Sequence, residues 1–163
     1  MTQQAILCFL IKDDQILLAE SDYRLDRKTW NGITGFITNQ QKIEFETAKV
    51  IYDAIKVQIN PQDLEKVAVQ HVFQKNSDES IQETVTISIF FCDRFIGEPH
   101  LTGNFRPRWF SLDDIPYEEM FEDTKDWLPR LLSGEKLIIE ILTEENTNNQ
   151  IVIKDVTVRN IFS

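Results

Sequence analysis

The chain has 163 residues, 42% of them hydrophobic and 27% charged, with a formal net charge of −10. That length suits one domain spanning residues 1–163, burying roughly 70% of the surface its unfolded chain would expose, and no apolar run approaches the ~18 residues that cross a bilayer. The negative balance argues against a nucleic-acid polymer as partner, because phosphate contacts need clustered Lys and Arg.

In chain order, AILCFLIK and QILLAE read as two strands joined by the turn-forming pair Asp13 and Asp14. The opening MTQQAILCFL lacks the basic and small-residue pattern of a signal peptide, so a cytoplasmic address and no membrane partner are expected. A polar connection, SDYRLDRKT, leads to WNGITGFI, a short β-branched segment with Gly32 and Gly35. NQQK then enters a helix expected over residues 43–57, bounded by Pro61. VAVQHVF and ETVTISIFFC read as strands joined by KNSDES, and RPRWFSL as a further strand. SLDDIPYEEMF carries a helix-start signal, TKDWLPRLLSG predicts a final helix ending near Gly134, and KLIIEIL and QIVIKDVTV predict a terminal hairpin. The fold class is therefore α/β (α+β). Cys8 and Cys92 sit in apolar strand-like runs and read as buried free thiols, and His71 and His100 stand alone, away from any zinc-ligand spacing.

A projection at 100° per residue places Phe45, Ala48, Ile51, Tyr52 and Ile55 on a stripe expected to face the core. The opposite side carries Glu46, Lys49, Val50, Asp53 and Val57. Glu46 and Asp53 are thus two acids on one side, with Val50 between them.

The segment from Gly35 resembles the box of the Nudix hydrolases, G-x5-E-x7-R-E-U-x-E-E-x-G-U, where U is bulky and aliphatic. Gly35, Ile51 and Val57 keep the glycine and both U positions. Gln41 stands for the loop glutamate, Lys49 for the arginine, Val50, Asp53 and Ala54 for the three helical glutamates, and Lys56 for the second glycine. The flanks extend the likeness over about residues 4 to 158: WNGITGFI, and FRPRWFSLDDIPYEEMFEDTKDWLPRLLSG, resemble the MutT-related purine nucleoside triphosphate pyrophosphohydrolases that sanitise oxidised purines.

The resemblance implies a Nudix fold, a mixed β-sheet sandwiched between helices, and a helix presenting glutamates to Mg²⁺ beside a di- or triphosphate. The metal would neutralise phosphate charge and position the attacking water. Asp53 is the one acid left at a carboxylate position of the box, and a family acid before the RPxWF segment is replaced by Asn104. In the implied base pocket, Asn31 matches the family asparagine, Asp123 the first of two aspartates that read the base edge, and Phe73 a lining aromatic. Thr124 replaces the second aspartate, Phe121 the stacking tryptophan, and Ser21 a lysine.

Three expectations follow. The first is a protein that binds a nucleotide or nucleotide-like small molecule with weak or no hydrolysis. The second is an active di- or triphosphate hydrolase with Mg or Mn held by Glu46 and Asp53 as catalytic and metal-binding residues. The third is an interaction module with a protein partner, suggested by apolar Val50 on a polar helix side. Without activity no cofactor is required.

Overall fold

The computed structural model describes residues 2–21, 29–103 and 105–161. The strands are β1 (Gln3–Lys12), β2 (Gln15–Ser21), β3 (Thr29–Asn31), β4 (Ile33–Ile37), β5 (Glu65–Lys75), β6 (Ile81–Cys92), β7 (Arg106–Ser111), β8 (Leu137–Glu145) and β9 (Ile151–Asn160). The helices are α1 (Ile43–Ile55) and α2 (Thr124–Leu132). Among the described residues the strands form one sheet in the order β3-β2-β1-β6-β5-β8-β9, with β4 on β1 and β7 on β2.

Strand β1 organises the molecule. Ala5 to Leu10 are all buried, because this run is covered on both faces. Ile6, Cys8 and Leu10 join a cluster with α1, while Leu7 and Phe9 join a second cluster with Trp127, Leu128 and Leu131 of α2. The alternation of side chains along one strand therefore separates the two helices onto opposite faces. β1 pairs antiparallel with β4 from Gln4 to Cys8 and parallel with β6 from Gln3 to Leu10, and at Ile11 and Lys12 it turns to β2. Asp13 and Asp14 make that turn in the left-handed region, at φ 52° and 63°, as the two-residue hairpin requires. Cys8 and Cys92 are free and buried, and burial pushes both thiols up.

Three local expectations need correction. WNGITGFI divides into β3 and β4 at Gly32, where an added Cβ would lie 2.7 Å from the Cys8 carbonyl oxygen; only glycine lets the chain cross β1 this closely. SLDDIPYEEMF yields a single 3₁₀ turn, Tyr117–Glu119, because Pro116 interrupts its start. The buried side of α1 is Ile43, Thr47, Ile51, Ala54 and Ile55, whereas Phe45 and Tyr52 are 68% and 44% exposed. Thr47 is acceptable in the core because its hydroxyl donates to the Ile43 carbonyl at 2.7 Å.

Candidate functional site

The loop before α1 is built by local hydrogen bonding. Asn39 accepts from the Gln41 N–H through Oδ1 at 3.0 Å and so caps the 3₁₀ turn Gln40–Lys42 that leads into the helix. Glu46, one turn into α1, reaches back to the same loop. Its Oε1 accepts from the Thr38 N–H and hydroxyl, both at 3.1 Å, and its Oε2 from the Asn39 N–H at 2.8 Å. These donors, the Asn39 N–H foremost, hold the Glu46 carboxyl below its ordinary range.

Asp53 has a different partner. Its carboxylate meets Lys49 Nζ at 3.4 Å on the exposed surface of the helix, a pairing worth little at such exposure. Between the two acids, Val50 is half-buried and packs on β4: a Cβ added at Gly35 would lie 2.8 Å from Val50 Cγ1. Gly35 is thus required by the close approach of α1. Ala54 is buried in the α1 core cluster. At the helix end Lys56 adopts φ 63° and donates its N–H to the Tyr52 carbonyl, so the left-handed C-cap persists without the glycine that favours it.

The donor set on α1 does not fit a magnesium site of the Nudix type. Val50 and Ala54 offer no oxygen, Glu46 turns both oxygens to the loop, and Asp53 pairs with Lys49. Among the described residues no three His, Cys, Asp or Glu side chains are grouped to hold a metal ion. Asn104 lies outside the described residues.

The second group of residues lies around the start of α2. Asp123 is 6% exposed, and its Oδ2 accepts from the Trp127 indole N–H at 2.8 Å. Burial pushes this carboxyl above its ordinary range, with the indole hydrogen bond acting in the opposite direction. Trp127 in turn lies 6.2 Å from Phe9, centroid to centroid, which ties the carboxyl to the sheet. Thr124 is buried and its N–H donates to the Phe121 carbonyl, so the half-buried Phe121, Asp123 and Thr124 share one turn. Asn31 closes β3, half-buried, and its Oδ1 accepts from the Gly32 N–H at 2.8 Å. By register Asn31 opposes Ala19 and Thr29 opposes Ser21, whose side chain lies outside the described residues.

Phe73 is placed apart from these. It lines a depression of about 280 Å³ with Ile81, Glu140, Leu142, Asp155 and Thr157, which includes neither Asn31 nor Asp123. A larger depression, about 720 Å³, opens on the other flank of α1 from Glu46 and Val50, against residues 93–96. The sequence reading missed the Glu46 clamp on Thr38 and Asn39, and the Asp123–Trp127 bond. The second had a visible signal, since a carboxylate and an indole four residues apart meet on a helix face.

No family model matches the chain. An oxidized purine nucleoside triphosphate hydrolase of Danio rerio is 25% identical over 134 residues, 81% of each chain. Among solved structures, a mutator MutT protein from Bacillus halodurans superposes with a TM-score of 0.73 over 96% of this chain and 97% of its own, at 13% identity. A MutT Nudix hydrolase from Burkholderia pseudomallei gives 0.63 over 80% and 98%, at 16% identity. The chain has the Nudix fold. The expected mixed sheet between helices is borne out, and the sequence likeness runs to the oxidised-purine group within that superfamily. Val50, Ala54, Glu46 and Asp53 lie on α1, while Asp123 and Trp127 belong to the helix on the opposite face.

Proposed function

We propose that this Nudix-fold protein binds a purine nucleoside di- or triphosphate, or a close analogue, and hydrolyses it weakly or not at all. The observation that carries this reading is the conversion of two box positions into packing contacts, Val50 on Gly35 and Ala54 in the core. Loss of those carboxylates removes charge and oxygen ligands together, a deficit of roughly three or more orders of magnitude in rate. Binding is supported from the other helix. Burying a carboxyl is costly, and Asp123, at a position that in the resembling family reads the base edge, remains in a buried, indole-bonded setting. Asn31, Thr124, Phe121 and Ser21 would complete the base contacts, with Phe121 stacking in place of an indole; Phe73 joins them only if the ligand extends to its separate depression.

The test is a panel of purine nucleoside di- and triphosphates, oxidised bases included, scored for melting-temperature shift and for turnover with Mg²⁺ or Mn²⁺. Saturable stabilisation that Asp123→Ala abolishes, with turnover at background, is the expected result. No stabilisation by any nucleotide would refute binding. Metal-dependent turnover lost in a Glu46→Gln/Asp53→Asn double variant would establish instead a hydrolase with relocated ligands.

A further inference from the structure

One edge of the sheet is β9, which pairs with β8 on one side and with no described strand on the other. A free strand edge offers a row of unpaired N–H and C=O groups to a further strand. From residue 155 to 160 β9 is matched one to one with β8, and the irregularity before that stretch leaves Lys154 unmatched. Asp155, Thr157 and Arg159 are exposed on one side of the strand, while Val156 and Val158, on the other, pack against the α2 cluster. Arg159 has a long contact, 3.9 Å to Glu140, and Asp155 has no ion pair among the described residues.

We propose that this edge pairs with β9 of a second copy of the chain, antiparallel across a two-fold axis at Thr157. The charge pattern of the strand selects that occupant and that register. A two-fold contact uses the same patch on both copies, and one that lays β9 antiparallel beside itself runs perpendicular to the sheet, with like faces on the same side. Facing residues then have numbers of the same parity, because side chains alternate along a strand. Among axes on residues 154–159, those at Lys154, Asp155 or Arg159 set like charges face to face. Those at Val156 or Val158 leave each of these charges opposite a neutral side chain. The axis at Thr157 alone sets Asp155 opposite Arg159, twice by symmetry, with Val156 opposite Val158 and Lys154 opposite Asn160.

Charged side chains on an edge strand ordinarily keep other strands away. Here they oppose every register but one, in which facing opposite charges stabilise the pair. The valine pairs extend the apolar layer beneath α2 across the seam. The seam is short, about 20 Å of strand, and two chains of charge −10 repel overall. The dimer therefore belongs to the small, transient class and dissociates at roughly 100 µM.

Sedimentation equilibrium of the full chain from about 10 µM to about 1 mM tests the proposal. A reversible monomer–dimer equilibrium is expected, weakened about tenfold or more by Arg159→Asp, which sets two carboxylates face to face. Adding Asp155→Arg to that variant re-forms both facing pairs and should restore the dimer. Thr157→Cys, on the axis, should form an intermolecular disulfide on mild oxidation, since Cys8 and Cys92 are buried. A chain that stays monomeric throughout, a dimer indifferent to Arg159→Asp, or one that the double variant does not restore would overturn the proposal. So would a Thr157→Cys variant that gives no cross-link where the dimer is populated, or the pairing of β9 with a foreign strand by a strictly monomeric chain.

Discussion

Helices α1 and α2 pack on opposite faces of one sheet, and each holds positions where the Nudix resemblance implies chemistry. On α1 two of those positions are packing contacts: Val50 lies against Gly35, and Ala54 is in the core. On α2 a carboxyl stays buried at Asp123, held by the Trp127 indole and carrying the desolvation that raises its proton affinity. The acids of α1 have separate partners, Glu46 in the loop at Thr38 and Asn39 and Asp53 at Lys49 on the surface. At Asp123 the support is local, one indole hydrogen bond from the next turn of the same helix.

The largest way to break this contrast is Trp127→Ala. It removes a buried indole and the Asp123 hydrogen bond, and a loss of about 3–5 kcal/mol is expected by denaturant titration. Asp123→Ala should cost less, about 1–3 kcal/mol, for the indole N–H left without an acceptor. Asp123→Asn keeps an acceptor oxygen and serves to isolate the charge. Because the Asp123 carboxyl is raised on folding, its protonation favours the folded state. Its share of stability is full below the unfolded carboxylate range and declines as pH rises through the raised folded value. Asp123→Asn should therefore remove that decline in melting temperature.

On the α1 side, Val50→Glu puts a carboxylate where the Val50 side chain packs against Gly35. The expected cost is about 1–3 kcal/mol, from packing strain and burial of charge; no cost would mean that the contact on β4 is loose and the box position still open. The opposite titration behaviour belongs to Glu46. Its lowered carboxyl stabilises above the unfolded carboxylate range, and that contribution disappears as pH falls through the folded value. Glu46→Gln should flatten this acid limb, read from melting curves. The smallest effect is Lys56→Gly, which relieves the left-handed C-cap and should stabilise by about 0.5–1 kcal/mol.

The strand order of the terminal hairpin, the Asp13–Asp14 turn and the start of α1 were legible from local patterns, because turn residues and apolar alternation act over a few neighbours. The orientation of α1 was not. Its apolar residues occupy two overlapping arcs, and helical periodicity weighs Phe45 and Tyr52 as heavily as Ile43 and Ala54. Which arc is buried depended on where β4 lets the helix approach, at Gly35, and on Thr47 satisfying its hydroxyl within the helix.

The sequence alone determined that the positions resembling the box hold valine and alanine, that Asp123 and Asn31 match residue types of the resembling family, and that AILCFLIK and QILLAE form strands joined at Asp13 and Asp14. These are matters of residue identity and short-range pattern. Only the tertiary structure decided that Val50 is a packing residue, that Glu46 is turned to Thr38 and Asn39, that Asp123 is buried against Trp127, and that Phe45 and Tyr52 face outward. Each depends on residues brought together by the meeting of loop, helix and sheet, and the direction a side chain takes there is settled by which neighbour can pack against it or offer it a hydrogen bond.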